Sequence, residues 1–196
     1  MMALDRSITL DLLRQTPKAT RVEVQKQLNK SFQLVKNKMI AEFLNHPVTI
    51  ELKGGIEAKN ISGTLSGGSG NLFSFIGFDS GDDPTDKIEK TLLRTNLLFS
   101  RFGSKSIEFT IDVPTPQEIF EITPMPWAPG RSWAKGIESG ISGLGFYLKV
   151  NRSSSRSGLG IQSPRKVRKG GSKFKNTKYI SEILKKYKKE FEALQI

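Results

Sequence analysis

Three places in this chain could hold chemistry: a histidine directly before a proline, a cluster of acids, and a run of glycines. His46 is the only histidine, and there is no cysteine. A Ser-His-Asp arrangement would have to be built around His46, yet no nucleophile-elbow pattern is present. His46 stands where a helix should end before Pro47, so it is read as a hydrogen-bonding partner for terminal carbonyls. A zinc site lacks ligands, and no disulfide framework can form. The acids Asp79, Asp82, Asp83 and Asp86 do not match the spacing of an EF-hand loop, and no glutamate closes a twelve-residue loop. They suit the start of a helix, where the dipole favours negative charge. In "GGSGNLFS" no lysine and hydroxyl follow the last glycine as a Walker loop requires, so the glycines are expected to make turns and a hairpin. Two carboxylates converging for hydrolysis have no local pattern to support them. The expectation is a protein without catalysis, cofactor or metal.

A different kind of signal lies in the charge. The formal net charge is +12. From Ser139 to Ser181 there is no Asp or Glu, while ten Lys or Arg occur there. A segregated positive stretch points to a polyanion or to an acidic protein surface. The glycine- and serine-rich part at about 151–175 carries Arg152, Arg156, Arg165, Lys166, Arg168, Lys169, Lys173 and Lys175. One reading is a solvated loop, since this composition buries little apolar surface. The other is an arm that tracks a phosphate backbone or an acidic partner, with binding that weakens steeply in salt. Residues 148–173 hold no aromatic side chain to stack on bases, which favours a duplex over single-stranded nucleic acid. Just upstream, Trp127, Arg131 and Trp133 fall in "PMPWAPGRSW". They either anchor a loop onto the fold or serve as anchors at a subunit interface, where Trp and Arg are enriched.

The elements that must position these residues can be read from periodicity. Thr20-Arg21-Val22-Glu23 reads as a capping box. Val24, Leu28, Phe32, Val35, Met39 and Phe43 then draw one apolar stripe along a helix that Pro47 stops. "VTIEL" (48–52) and "NLFSFIGF" (71–78) are strand candidates. A helix is expected over 83–101, with Asp83 as N-cap and Pro84 at its first position. "KSIEFTIDV" (105–113) alternates cleanly as a half-buried strand, "EIFEI" (118–122) is expected to pair with it, and "GLGFYLKV" (143–150) alternates again. Ile180, Ile183, Leu184, Tyr187, Phe191 and Leu194 form a closing helical stripe. The fold class expected is α+β: a long N-terminal helix packed on a mostly antiparallel sheet of about four strands, with a C-terminal helix and long extended loops. Residues 1–20 are expected to form an arm, and 21–196 a single domain with the basic loop embedded in it. The N-terminal stretch has acids within its apolar part and is not read as a signal peptide, and no window is long and apolar enough to span a membrane.

The order of elements resembles a known group. A capped helix ends before "HPVT" (46–49), Ser62-Gly63-Thr64-Leu65 leads onward, and a lysine-rich helix, "SEILKKYKKEF" (181–191), closes the chain. Together with "GNLFSFIGF" (70–78) and "PMPWAPGRSWAKGIESGISGLGFYL" (124–148), this is similar to the tail-completion and neck proteins of tailed bacteriophages, the head–tail joining or minor capsid proteins. Relative to that pattern the chain lacks a basic residue after Leu65, and the helix expected at 83–101 is an insertion. The resemblance implies a virion structural protein in the neck or tail region, present in the host cytoplasm during assembly. Its subunits would form a ring around the DNA channel, and their partners would be further copies of the chain, the portal or adaptor, and the tail terminator or tail tube. Contact with duplex DNA would be non-specific, and no membrane would be involved. A basic nucleic-acid-binding protein outside any virion is the alternative that the charge alone allows.

Overall fold

The computed structural model describes residues 7–12, 18–65, 70–102, 107–126, 128–140, 148–149, 161–162 and 175–194. Their elements are, in order, β1 (Ser7–Leu12), α1 (Lys18–Asn45), α2 (Pro47–Lys53), a 3-10 turn (Gly55–Glu57), α3 (Leu72–Ile76), α4 (Asp86–Leu93), β2 (Asn96–Phe102) and β3 (Ile107–Asp112). There follow α5 (Pro116–Glu121), β4 (Pro124–Met125), β5 (Ala128–Ser132), α6 (Trp133–Ser139), β6 (Leu148–Lys149), β7 (Ile161–Gln162) and α7 (Ile180–Glu192). The chain is mixed helix and sheet, and it divides into two compact units. The first comprises 1–43, 89–118 and 180–196; the second comprises 44–88 and 119–179.

In the first unit, five of the six residues of the stripe expected on α1, Val24, Leu28, Phe32, Met39 and Phe43, are almost wholly covered, and Val35 is half-buried. Leu34, off the stripe, is 58% exposed. Phe32 meets Phe191 of α7 with ring centroids 5.5 Å apart. Glu42 accepts from the hydroxyl of Tyr187 at 2.8 Å and pairs with Lys186. Residues rising along α1 thus meet residues falling along α7, so the two helices run antiparallel. Helix α7 also lies against β1. The sheet has three antiparallel strands in the order β1-β3-β2. Phe109 and Ile111 of the central strand are buried, while Glu108, Thr110 and Asp112 are half-buried, which is the alternation read from the sequence. Burying each such aromatic or aliphatic side chain contributes about 1.5–3 kcal/mol.

Several expectations are corrected. The sheet of about four strands is a three-stranded sheet accompanied by two separate two-stranded ladders, β4-β5 and β6-β7. Part of the arm, Ser7–Leu12, is a sheet strand, and helix α1 already begins at Lys18. Thr20 therefore lies inside the helix and not at its N-cap, and Glu23 accepts from Gln27 Nε2 one turn on. The segment 48–52 is helical, because His46 caps it and Pro47 occupies its first turn. Its buried Val48 and Leu52 are four apart, with Ile50 exposed between them. Likewise 71–78 holds α3, capped by Asn71 and closed by Gly77 at φ 89. The helix expected over 83–101 stops at Leu93, whose carbonyl accepts from Lys36 Nζ at 2.7 Å, and Asn96–Phe102 becomes a strand. Asp83 accepts from the backbone and hydroxyl of Thr85 ahead of that helix.

Segment 118–122 is likewise helix, not strand. The capping box assigned to Thr20 is found here instead. Thr115 Oγ1 accepts from Glu118 N at 3.2 Å, Glu118 Oε2 accepts from Thr115 N at 2.8 Å, and Pro116 opens α5. No hairpin occurs among the described residues of 54–70; a 3-10 turn and single left-handed glycines such as Gly63 (φ 63) carry the chain. Of the strand expected at 143–150, Leu148–Lys149 is described and pairs with Ile161–Gln162; its other residues lie outside the described part.

Phe32→Ala should lower unfolding stability by about 3–5 kcal/mol, because the stripe cannot close over the void. Leu34→Ala should stay within about 0.5 kcal/mol. Urea unfolding followed by circular dichroism measures both, and equal losses would contradict the assigned helical face.

Candidate functional site

The basic segment leaves the described fold after α6 and returns at Lys175, and both points belong to the second unit. Helix α6 starts from a polar relay. Ser132 Oγ accepts from Lys135 N at 3.1 Å and shares a hydrogen bond with Thr123 Oγ1 at 2.8 Å, while Trp133 N donates to Thr123 O at 2.9 Å. The helix ends at Gly140, at φ 94, whose N–H donates to Gly136 O at 2.8 Å. The returning chain is fastened beside that end. Thr177 N donates to Ile137 O at 3.0 Å, and a Cβ on Gly140 would stand 3.3 Å from Asn176 Oδ1. A side chain at 140 would need both a strained φ and a shifted Asn176, so glycine is demanded twice over. The departure and return of the segment are therefore held side by side.

A second attachment reaches the glycine-rich crossing. Lys175 N donates to Thr64 O at 2.9 Å. Thr64 is fully buried and shares a hydroxyl bond with Ser62 at 2.9 Å. Glu51, also fully buried, fixes this crossing: Oε2 accepts from Ser62 N at 2.9 Å and Oε1 from Leu72 N at 2.6 Å. Asn71 works from the other side. Its Oδ1 accepts from Ser74 N at 2.9 Å, capping α3. Its Nδ2 faces three carbonyls, Gly55 O at 3.1 Å, Ile56 O at 2.8 Å and Ala58 O at 2.8 Å, which share its two protons.

Tyr179 closes the returning segment. Its hydroxyl bonds Thr49 Oγ1 at 2.8 Å, and its ring lies 4.9 Å from His46 and 6.5 Å from Trp133. Burial pushes the Tyr179 phenol far above its ordinary range. The Thr49 hydrogen bond opposes that shift, and the charges of Glu138 and Asp83 add to it. His46 plays a structural part: its Nδ1 accepts from Val48 N at 3.2 Å, capping the start of α2.

Among the residues singled out from sequence, Lys175 is placed at the root of the segment, with its side chain exposed. Arg152, Arg156, Arg165, Lys166, Arg168, Lys169, Lys173 and Trp127 lie outside the described residues. Arg131 is exposed on β5. Trp133 is 2% exposed and packs edge-on against Phe78 with centroids 6.0 Å apart. It is a core residue of its own unit. Sequence reasoning missed the buried polar contacts of Glu51 and Asn71 at the glycine-rich crossing, and the separate Thr49–Tyr179 pair. Asn71 had left a legible mark, an N-cap residue directly before an apolar run.

Among the described residues, no group of three or more His, Asp or Glu is placed to hold a metal ion, and no helix is long and apolar enough to cross a membrane. Compared with protein-family models, with curated proteins and with solved structures, the chain has no match in any of the three.

Glu51→Gln leaves one acceptor where two N–H groups converge and turns an amide toward the other. The expected loss is about 1–3 kcal/mol, measured by thermal and urea unfolding. Tyr179 gives a pH dependence of definite sign. Its folded-state pKa lies above its unfolded value of about 10, so its stabilising contribution is complete below about pH 10 and is lost as pH rises beyond it. Tyr179→Phe should cost about 1–2 kcal/mol at neutral pH by stranding the Thr49 hydroxyl, and should flatten the alkaline fall. An unaltered stability–pH curve between pH 9 and 12 would contradict the burial of that phenol.

Proposed function

We propose that this chain is a virion structural protein of a tailed bacteriophage: a ring-forming neck or tail-completion subunit joining the portal or adaptor to the tail around the DNA channel. The observation that carries the reading is the segregation of charge, ten Lys or Arg and no acid between Ser139 and Ser181, in a segment rooted on a packed polar cluster. Binding groups are commonly carried on segments between the packed elements of a scaffold. The sequence motifs set out above support the family, and the long helix with its small antiparallel sheet is compatible with it. In this reading the protein does no catalysis. Its cations face the acidic surfaces of neighbouring subunits or the phosphates of the passing duplex. The order of strands in the larger sheet of such a ring, and the packing of the long helix across it, belong to the same proposal.

Ring formation requires a heterologous contact, in which each copy uses two different faces and the rotation closes. Mass photometry and negative-stain electron microscopy of the purified chain over a concentration series test this directly. Closed rings are expected. A compact monomer that binds duplex DNA with a steep salt slope would favour the nucleic-acid-binding alternative. Glu substitutions at Arg165, Lys166, Arg168 and Lys169 should then lower that slope by roughly 0.9 for each phosphate that is no longer neutralised, without changing the thermal midpoint.

A further inference from the structure

The three-stranded sheet is organised in rows that its register makes explicit. Residues 8, 111 and 97 share one row, 10, 109 and 99 another, and 12, 107 and 102 a third; every one of them is apolar. The alternate rows are polar or mixed: Ser7-Asp112-Asn96, Thr9-Thr110-Leu98 and Asp11-Glu108-Arg101. A one-residue bulge between Phe99 and Arg101 preserves this order. Without it Arg101 would fall opposite Ile107, in an apolar row.

The β2 side of this sheet is incomplete in two respects. Phe99 stands edge-on to Phe109 with centroids 5.9 Å apart, yet it is 42% exposed while Phe109 is 1% exposed. Its neighbour Leu98 is 52% exposed. Among the described residues β2 pairs with β3 alone, so its outer backbone groups form an open edge. The charges along one row are also uneven. Asp11 and Glu108 are register partners of like sign, and Arg101, at the far end of the row, pairs with Glu108 while its side chain stays 78% exposed.

We propose that the free edge of β2 receives β1 of a second copy of this chain, parallel and in row, so that sheets of successive copies join head to tail. The row Asp11-Glu108-Arg101 then meets the same row of the next copy. Arg101 lies between Glu108 of its own chain and Asp11 of the neighbour, and negative and positive positions follow each other across the junction. Leu10 of the neighbour falls in the row of Phe99, and Ile8 in the row of Leu97, which extends the apolar rows across the seam. The two edges differ, β1 on one side and β2 on the other, so the contact is heterologous. A small rotation between copies cannot reverse a strand. Because β1 and β2 both run antiparallel to β3, the incoming β1 lies parallel to β2. The inference rests on the ring-forming reading and names the surface through which it acts.

The absence of cysteine makes the test clean. Thr9 and Leu98 both partner Thr110, from opposite sides, so within one chain they are two strand spacings apart, roughly 9.5 Å, beyond disulfide reach. A Thr9→Cys/Leu98→Cys chain should therefore give a ladder of covalent multimers under mild oxidation on a non-reducing gel. Mixing the two single variants should give heterodimers only. Arg101→Glu should raise the concentration at half-assembly roughly fivefold, and Leu98→Lys should abolish assembly while leaving the thermal midpoint within about 2–4 °C. Mass photometry runs alongside. If the protein is multimeric but the double variant stays uncrosslinked, or if Leu98→Cys alone forms homodimers, the edge proposal is overturned and the ring reading stands. If the protein is monomeric at every concentration, both fall.

Discussion

A single buried carboxylate holds the glycine-rich crossing in place, and the root of the basic segment depends on that crossing. Glu51 has no exposed surface, and both of its oxygens are taken by backbone N–H groups eleven and twenty-one residues further along. A carboxyl group buried without partners would cost several kcal/mol. Here the partners are main-chain donors, so satisfying Glu51 also fixes the path of the chain at Ser62 and Leu72. Asn71, next to one of those points, gathers the carbonyls of the preceding turn and caps α3 with the same side chain. Only with the crossing settled does Thr64 present its carbonyl to Lys175.

This order of dependence gives the polar cluster its meaning. Its members hold one another and hold backbone, and in doing so they give the cationic segment a firm base. Trp133 serves the same end from inside, since its ring packs between Phe78 and Tyr179 at the place where α6 begins and the segment returns.

The long elements were legible in the sequence because many residues vote on their period. Six apolar positions set the face of α1, four alternating ones identify β3, and the stripe from Ile180 to Phe191 marks α7. The short apolar segments were not. Val48 and Leu52, or Leu72, Phe73 and Ile76, fit a strand and a helical turn about equally well over five residues, and the end signals decide. Those signals were present: His46 before Pro47, Asn71 before its apolar run, and Thr115 with Pro116 and Glu118. The apparent capping box at Thr20 carried the right letters in a stretch where the helix had already begun. The contacts of Glu51 and the Thr49–Tyr179 pair could not be read, because they join residues 11, 21 and 130 positions apart that no local pattern links. The change from α4 to β2 was hidden for a related reason. Leu97, Leu98 and Phe99 continue an apolar run, and the helix ends in a turn, Thr95 N to Leu92 O, with the Leu93 carbonyl taken by a lysine from α1.

The way the two units share the chain also bears on how the protein comes off the ribosome. The first unit draws on three separated stretches, 1–43, 89–118 and 180–196, whereas the second is complete at residue 179. The pairing of β1 with β3 alone closes a span of about a hundred residues, and such non-local pairings form slowly. In order of sequence, the first unit is completed last, by α7. Until then the apolar stripe of α1 lacks Phe191, and the nascent chain carries uncovered surface of the kind that chaperones bind.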